Sequence, residues 1–341
     1  MSTVRTVLFS VLAVPALALA QSSNIDLFSF VMQDAQLIAG AHVESAKNSP
    51  FGQYVLSQIP MGEKYLRGFE TETGINPLSD VTEVLAAWNG APNANGHWVI
   101  GAHGAFTQSI PTIEVNVLKN GGTITRLAGV DLITLGQAGM NSKEANVCIG
   151  LFTDGFTDLM GDCTSVEAAI QFGVATSGPG SSIALTAQQL RAHQDFWFAS
   201  VVPLSEFSGL LPGSATSSGS PLSGVLKSKL LLAIQQISGG VKFPTAADGS
   251  GAQFSAEVLL GSPQDATSLL NVVNFVVGLL QMNTGSVPPS AAGFASLLGG
   301  LQTSVTGSTL NVGLNVPEST LEQLFQQVSQ LAMNHVSAPG R

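Results

Sequence analysis

The sequence predicts an α+β fold in which helices cover antiparallel sheets. Three observations carry that expectation. Short segments alternate apolar and polar residues and are joined by turn-forming pairs such as Asp154-Gly155. Longer segments repeat apolar residues at helical spacing behind recognisable caps. Apolar residues make up 45% of the chain and charged residues only 10%, so the chain can bury a large core. A parallel α/β arrangement is the runner-up, because long helices alternate with strands.

The elements follow in order. Met1–Ala20 has the form of a signal peptide: Arg5 in a short leading region, an apolar run from Val7 to Leu17, then Ala18-Leu19-Ala20 as a small-x-small cleavage site. A mature chain is expected to begin near Gln21, leaving about 320 residues, which is comfortable for two domains. Gln36–Val43 reads as a strand leading into a helix. Ser49 caps that helix with Pro50 at its first position, and Phe51, Tyr54, Val55 and Ile59 mark its apolar face. Met61, Tyr65, Leu66 and Phe69 mark another, stopped by Gly74.

Val81–Trp88 and His97–Phe106 read as strands. Ile113, Val115 and Val117 alternate with Glu114 and Asn116, which predicts a further strand turned by Asn120-Gly121-Gly122 into Thr123–Arg126. Val130–Leu135, Asn146–Phe152 and Thr157–Asp162 continue the pattern, and Thr164–Phe172 closes the unit as a helix. A helix near Ala187–His193 and a strand near Trp197–Leu204 come next. Ser208–Gly224 is rich in Gly, Ser and Pro and is the expected boundary between lobes at 21–207 and 225–341.

The second lobe is expected to hold a helix Val225–Ile237 and a hairpin of Val241–Thr245 with Phe254–Leu260 around Asp248-Gly249. Helices Ala266–Met282 and Ala291–Leu301, a strand Gly307–Val316 and a terminal helix after Pro317 follow. The sequence from Asp154-Gly155 into a helix is echoed from Asp248-Gly249 into a helix. This reads either as duplication of one unit or as independent reuse of a common motif.

Several functions are disfavoured. The chain carries 12 Lys and Arg against 22 Asp and Glu, a net charge of −10, and lacks the basic clusters that nucleic acids or anionic lipids require. The most apolar stretch, Ala266–Met282, is interrupted by Asn271 and Asn274 and reads as a buried helix, so no membrane span is expected after signal removal. Aromatic platforms for sugars are scarce. No motif points to a cofactor, and no phosphate-cradling loop or His-Glu-x-x-His occurs.

Catalytic and metal candidates are few. No Gly-x-Ser-x-Gly elbow or Ser-x-x-Lys pair is present. His193 with Asp195 could supply the base and its orienting carboxylate in a triad, although a surface pair at a helix end explains them more simply. His97 and His103 share a strand face but stand about 20 Å apart, too far for one ion. Asp154, Asp158 and Asp162 form the densest acidic cluster; Asp154 has a turn role and Asp162 a capping role that compete with calcium binding.

Cys148 and Cys163 are the two cysteines. If Asp154-Gly155 is a two-residue turn, Cys148 faces Gly161 and Cys163 lies one diagonal step away on the same face. A three-residue loop would put the sulfurs on opposite faces. A disulfide and two buried thiols both remain open.

Val31-Met32-Gln33-Asp34-Ala35-Gln36, Ser45 through Tyr54, Gly74 through Asp80, and the helix start Gln264-Asp265-Ala266 together resemble uncharacterised exported proteins of acidobacterial type. The resemblance spans most of the mature chain and implies export, but it brings no catalytic residues. The expectation is therefore a secreted or periplasmic, non-catalytic binding or cell-envelope protein, with an apolar ligand, a protein partner or a second copy of itself on its excess apolar surface. An exported hydrolase with a dispersed site is the alternative.

Overall fold

The computed structural model describes residues 25–58, 70–71, 73–90, 96–107, 109–134, 146–175, 182–203, 229–244, 251–282 and 297–326. Within them the α+β expectation is met. Twelve strands form one sheet in the order β11-β12-β10-β9-β8-β1-β2-β3-β7-β6-β5-β4, and each neighbouring pair is antiparallel. The strands are β1 (Leu37–His42), β2 (Val81–Trp88), β3 (Trp98–Gly104), β4 (Thr123–Leu127), β5 (Val130–Thr134) and β6 (Val147–Leu151). They continue as β7 (Thr157–Asp162), β8 (Phe196–Ser200), β9 (Ile234–Lys242), β10 (Ala252–Leu260), β11 (Gln302–Thr306) and β12 (Thr309–Val316). The helices are α1 (Val43–Asn48), α2 (Pro50–Ser57), α3 (Ile110–Lys119), α4 (Cys163–Ala175), α5 (Ser182–Arg191), α6 (Lys229–Leu232), α7 (Pro263–Met282) and α8 (318–326).

Side-chain alternation gives the sheet two unlike faces. One face carries Ile38, Leu85, Ala87, Val99, Leu159, Trp197 and Ala199. They are buried beneath α4 (Val166, Ala169, Ile170), α5 (Ile183, Ala184, Ala187) and the segment Leu27–Val31. Each fully buried Leu, Ile or Phe contributes about 1.5–3 kcal/mol of transfer free energy. Gly40 on β1 is required here, because a Cβ would sit 2.2 Å from the Trp197 ring.

Among the described residues, the opposite face is covered only towards its ends. α3 packs Ile113 and Val117 on Ile133, Leu151 and Phe106. α7 packs Ala266 and Leu269 on Leu260 and Leu310, and Phe51 of α2 packs beside Phe254 and Leu314. The described residues leave the middle of that face, from β8 to β7, open: Phe196 is 43% exposed, Phe198 37% and Met160 40%.

Several local expectations are corrected. Ile113–Val117 belongs to helix α3, not a strand. Ile113 and Val117 are buried one turn apart while Val115 is 64% exposed, so the i, i+4 pair sets the packing and the alternation is incidental. Asn120 to Gly122 therefore end a helix. Ile234–Ile237 lies in β9 rather than in a helix, and Gln302–Thr306 is a separate strand, turned at Gly307 (φ 59°) into β12.

Asp154-Gly155 does not form a type I′ turn. Gly155 has φ 70°, but Asp154 is held outside the left-handed region while its carboxylate accepts from the Phe156 and Thr157 N–H groups at 2.8 and 3.0 Å. The loop spans residues 153–156, an even number, and keeps Cys148 opposite Gly161 as expected. A two-residue turn with positive φ at both positions, as type I′ requires, lies instead at Ala128 (φ 50°) and Gly129 (φ 89°), between β4 and β5.

The two expected lobes contribute strands to one sheet, with β8 hydrogen-bonded to β9 across the expected boundary. The leader at 1–20, the helix at 61–69, the segment 208–224, Asp248-Gly249 and most of Ala291–Leu301 lie outside the described residues.

Candidate functional site

Cys148 and Cys163 form a disulfide with Cα atoms 4.7 Å apart. Cys148 lies on β6 and Cys163 opens α4, so the bridge ties the sheet to the helix that covers it.

His193 and Asp195 are two residues apart in sequence but serve different surroundings. His193 is exposed just beyond α5. The Asp195 carboxylate is buried and accepts from Ser45 Oγ at 2.6 Å, Lys242 Nζ at 2.8 Å and Phe243 N at 2.7 Å. Burial would raise its pKa, but these three donors override burial and hold it below the ordinary range. Asp195 thus fastens α1 and β9 together, with no hydrogen bond to His193.

The three aspartates of the acidic cluster also separate. Asp154 shapes its own loop. Asp162 caps α4 by accepting from Ser165 N (3.1 Å) and Ser165 Oγ (2.7 Å), and it also accepts from Trp98 N (2.8 Å) and meets His97 Nδ1 (3.1 Å). Asp158 lies between β3 and β6, and no hydrogen bond of standard geometry reaches either carboxylate oxygen. Burial, then the nearby Asp154 charge, push its pKa up to about 8. No group of three His, Cys, Asp or Glu among the described residues is arranged to hold a metal ion.

Two concavities are not marked by any sequence motif. The first, of about 740 Å³, is polar and centres on Glu83. Arg191 of α5 grips the Glu83 carboxylate with two nitrogens, one at 2.6 Å, and reaches Asp26 at 2.9 Å. The Nε2 atoms of His42 and His103 donate to the carbonyls of Arg191 (3.0 Å) and Ile25 (2.7 Å), since a carbonyl can only accept. Their Nδ1 atoms then face Glu83 at 3.9 and 3.6 Å. Burial alone would raise the Glu83 pKa; the His103 and Arg191 contacts reverse this and lower it. Both Glu83 carboxylate oxygens and all three Arg191 guanidinium nitrogens are engaged within the protein, which marks a structural clamp joining β1, β2, β3 and α5. His42 and Glu83 are register partners on β1 and β2, a pairing that no local sequence signal records.

The second concavity, of about 540 Å³, is an apolar groove on the open face. Its lining includes Ala39, Phe196, Phe198, Val241, Phe254 and Ala256. Ser255 and Trp197 also line it, but the strand register turns both towards the other face. Among the described residues, no charged side chain lines the groove. Its floor strands β1, β8, β9 and β10 are each paired on both sides, so their ladder groups are used within the sheet.

Among the described residues, no helix is long and apolar enough to cross a membrane. No family model matches the chain. No curated protein matches it. A solved structure described as "Structure of crystal form I of TP0453" is similar over 89% of this chain and 98% of that one, with 9% identity and a TM-score of 0.46. At that level the likeness carries no argument about fold or function.

Proposed function

We propose that this protein is an exported, non-catalytic binding protein that holds an apolar ligand in the groove on the open face of its sheet. One observation carries the reading: the groove is concave, uncharged and lined by half-exposed apolar side chains that the rest of the described fold leaves uncovered. Its volume lies in the range of small-molecule sites. The Cys148–Cys163 bridge fits an oxidising compartment, and the leader-like Met1–Ala20 supplies the route there. The engagement of Asp195 by Ser45, Lys242 and Phe243 weighs against the hydrolase alternative, since it leaves His193 without an orienting carboxylate.

An environment-sensitive apolar dye tests the reading. It is expected to bind one site per folded chain with blue-shifted emission, and to lose at least ten-fold in affinity in Ala256→Phe, whose ring would fill the groove. A dye that binds wild type and variant alike would sink the assignment. Export is tested separately by mass measurement, which should place the secreted N-terminus near Gln21.

A further inference from the structure

We propose that the groove takes a hydrocarbon chain, the acyl tail of a fatty acid or a lipid. This rests on the apolar-ligand reading above and narrows it.

The argument starts from the polar inventory of the site. Every non-proline residue of a peptide brings one N–H and one C=O that must be paired when buried. The groove offers almost nothing to pair with them. Ala39, Phe196, Phe198, Val241, Phe254 and Ala256 have no polar side-chain atoms, and the floor strands spend their own groups in the ladders on both sides. The Ser255 hydroxyl lies on the far side and is held by Gln194 Nε2 at 3.2 Å. An extended peptide would therefore leave unpaired groups along its length, and a sugar or nucleotide would leave more. A methylene chain has none to leave.

Charge points the same way. Among the described residues no lysine or arginine lines the groove to receive a phosphate or carboxylate, so an anionic head is left in water. The groove is open along one side, which allows a tail to lie in it while its head stays solvated. Ala39 on β1 and Ala256 on β10 provide a low floor, and the rings of Phe196, Phe198 and Phe254 rise from the strands around them. The net charge of −10 disfavours attachment to an anionic bilayer, so the tail must leave its source and come to the protein.

The test uses the full mature chain and saturated fatty acids of graded length, all below micelle-forming concentration, competing with a fluorescent fatty-acid analogue. Affinity is expected to rise about two- to four-fold per added methylene, because each buried methylene contributes a nearly constant transfer free energy, and then to level off once the groove is filled. Ala39→Phe and Ala256→Phe should shorten the length at which it levels off and weaken the longest chains at least ten-fold, with melting temperatures unchanged. If both variants unfold, the length series on the wild-type protein decides alone. A second arm offers uncharged phosphatidylcholine vesicles containing a labelled lipid. Transfer of label to the protein identifies a lipid source, and binding of soluble fatty acid without transfer identifies a free one; either supports the proposal. Dye binding with no fatty-acid or lipid binding, or affinity that does not change with chain length, would overturn the hydrocarbon assignment and leave the apolar-ligand reading standing. Failure of dye and fatty acid together would remove both.

Discussion

Asp158→Asn is the sharpest probe of this fold. Asp158 is enclosed between β3 and β6 with no conventional hydrogen bond to either oxygen, and its folded-state pKa stands at about 8 against an ordinary 3.8. Between those values the folded chain keeps a proton that the unfolded chain releases. The sign follows from linkage: the folded state binds more protons, so stability falls as pH rises through this window. The slope is about 1.4 kcal/mol per pH unit, or roughly 3 kcal/mol between pH 5 and pH 7. The amide of the variant has no such proton to release. The difference in Tm between variant and wild type should therefore grow in the variant's favour by about 5 °C or more over that interval, at roughly 2 °C per kcal/mol for a large chain. Differential scanning calorimetry at pH 5, 6 and 7 on both proteins measures it, and taking the difference cancels every other titrating group. Parallel Tm profiles would show that Asp158 is ionised in the fold and that its enclosure has been misread.

Other perturbations have equally direct outcomes. Glu83→Gln leaves Asp26 as the one carboxylate hydrogen-bonded to Arg191, and denaturant unfolding should show a loss of about 3 kcal/mol, as expected when one charge of a buried ion pair is removed. Cys163→Ser opens a loop of 15 residues and should cost about 3 kcal/mol in the chain-entropy model; non-reducing peptide mapping of the wild type should recover the linked Cys148 and Cys163 peptides. Ala128→Gly relieves the positive φ at the β4–β5 turn and should raise stability by up to about 1 kcal/mol, read as a higher denaturant midpoint; a lower midpoint would argue against the primed turn.

The strands that could be read from sequence were those whose own alternation coincided with burial. β10 is the clearest case: Phe254, Ala256 and Val258 are partly buried while Ser255 and Glu257 are exposed. α2 was legible because Ser49 does accept from Gly52 N, as its position before Pro50 implies. α3 misled because β-branched residues at every second position satisfy a strand pattern and a helical stripe at once, and only the surface offered by Ile133 and Leu151 decides between them. The groove was illegible for a different reason. Its lining comes from β1, β8, β9, β10 and β12, and no local segment records which strands become neighbours.

The place of β1 in the sheet has a consequence for the order of folding. Residues 37–42 pair with β2 on one side and with β8, more than 150 residues later, on the other. Synthesis can complete the first pairing early, but the second edge of β1 stays bare until residue 200 has emerged, and closing so distant a contact is slow. Under the export proposed above, a chain crossing a membrane as an extended thread would gain from that delay, since its central strand cannot be sealed into the sheet while the later half is still in transit. The same delay leaves a bare strand edge open to pairing with another copy, so arrest near residue 190 is expected to yield aggregates rather than a stable amino-terminal half.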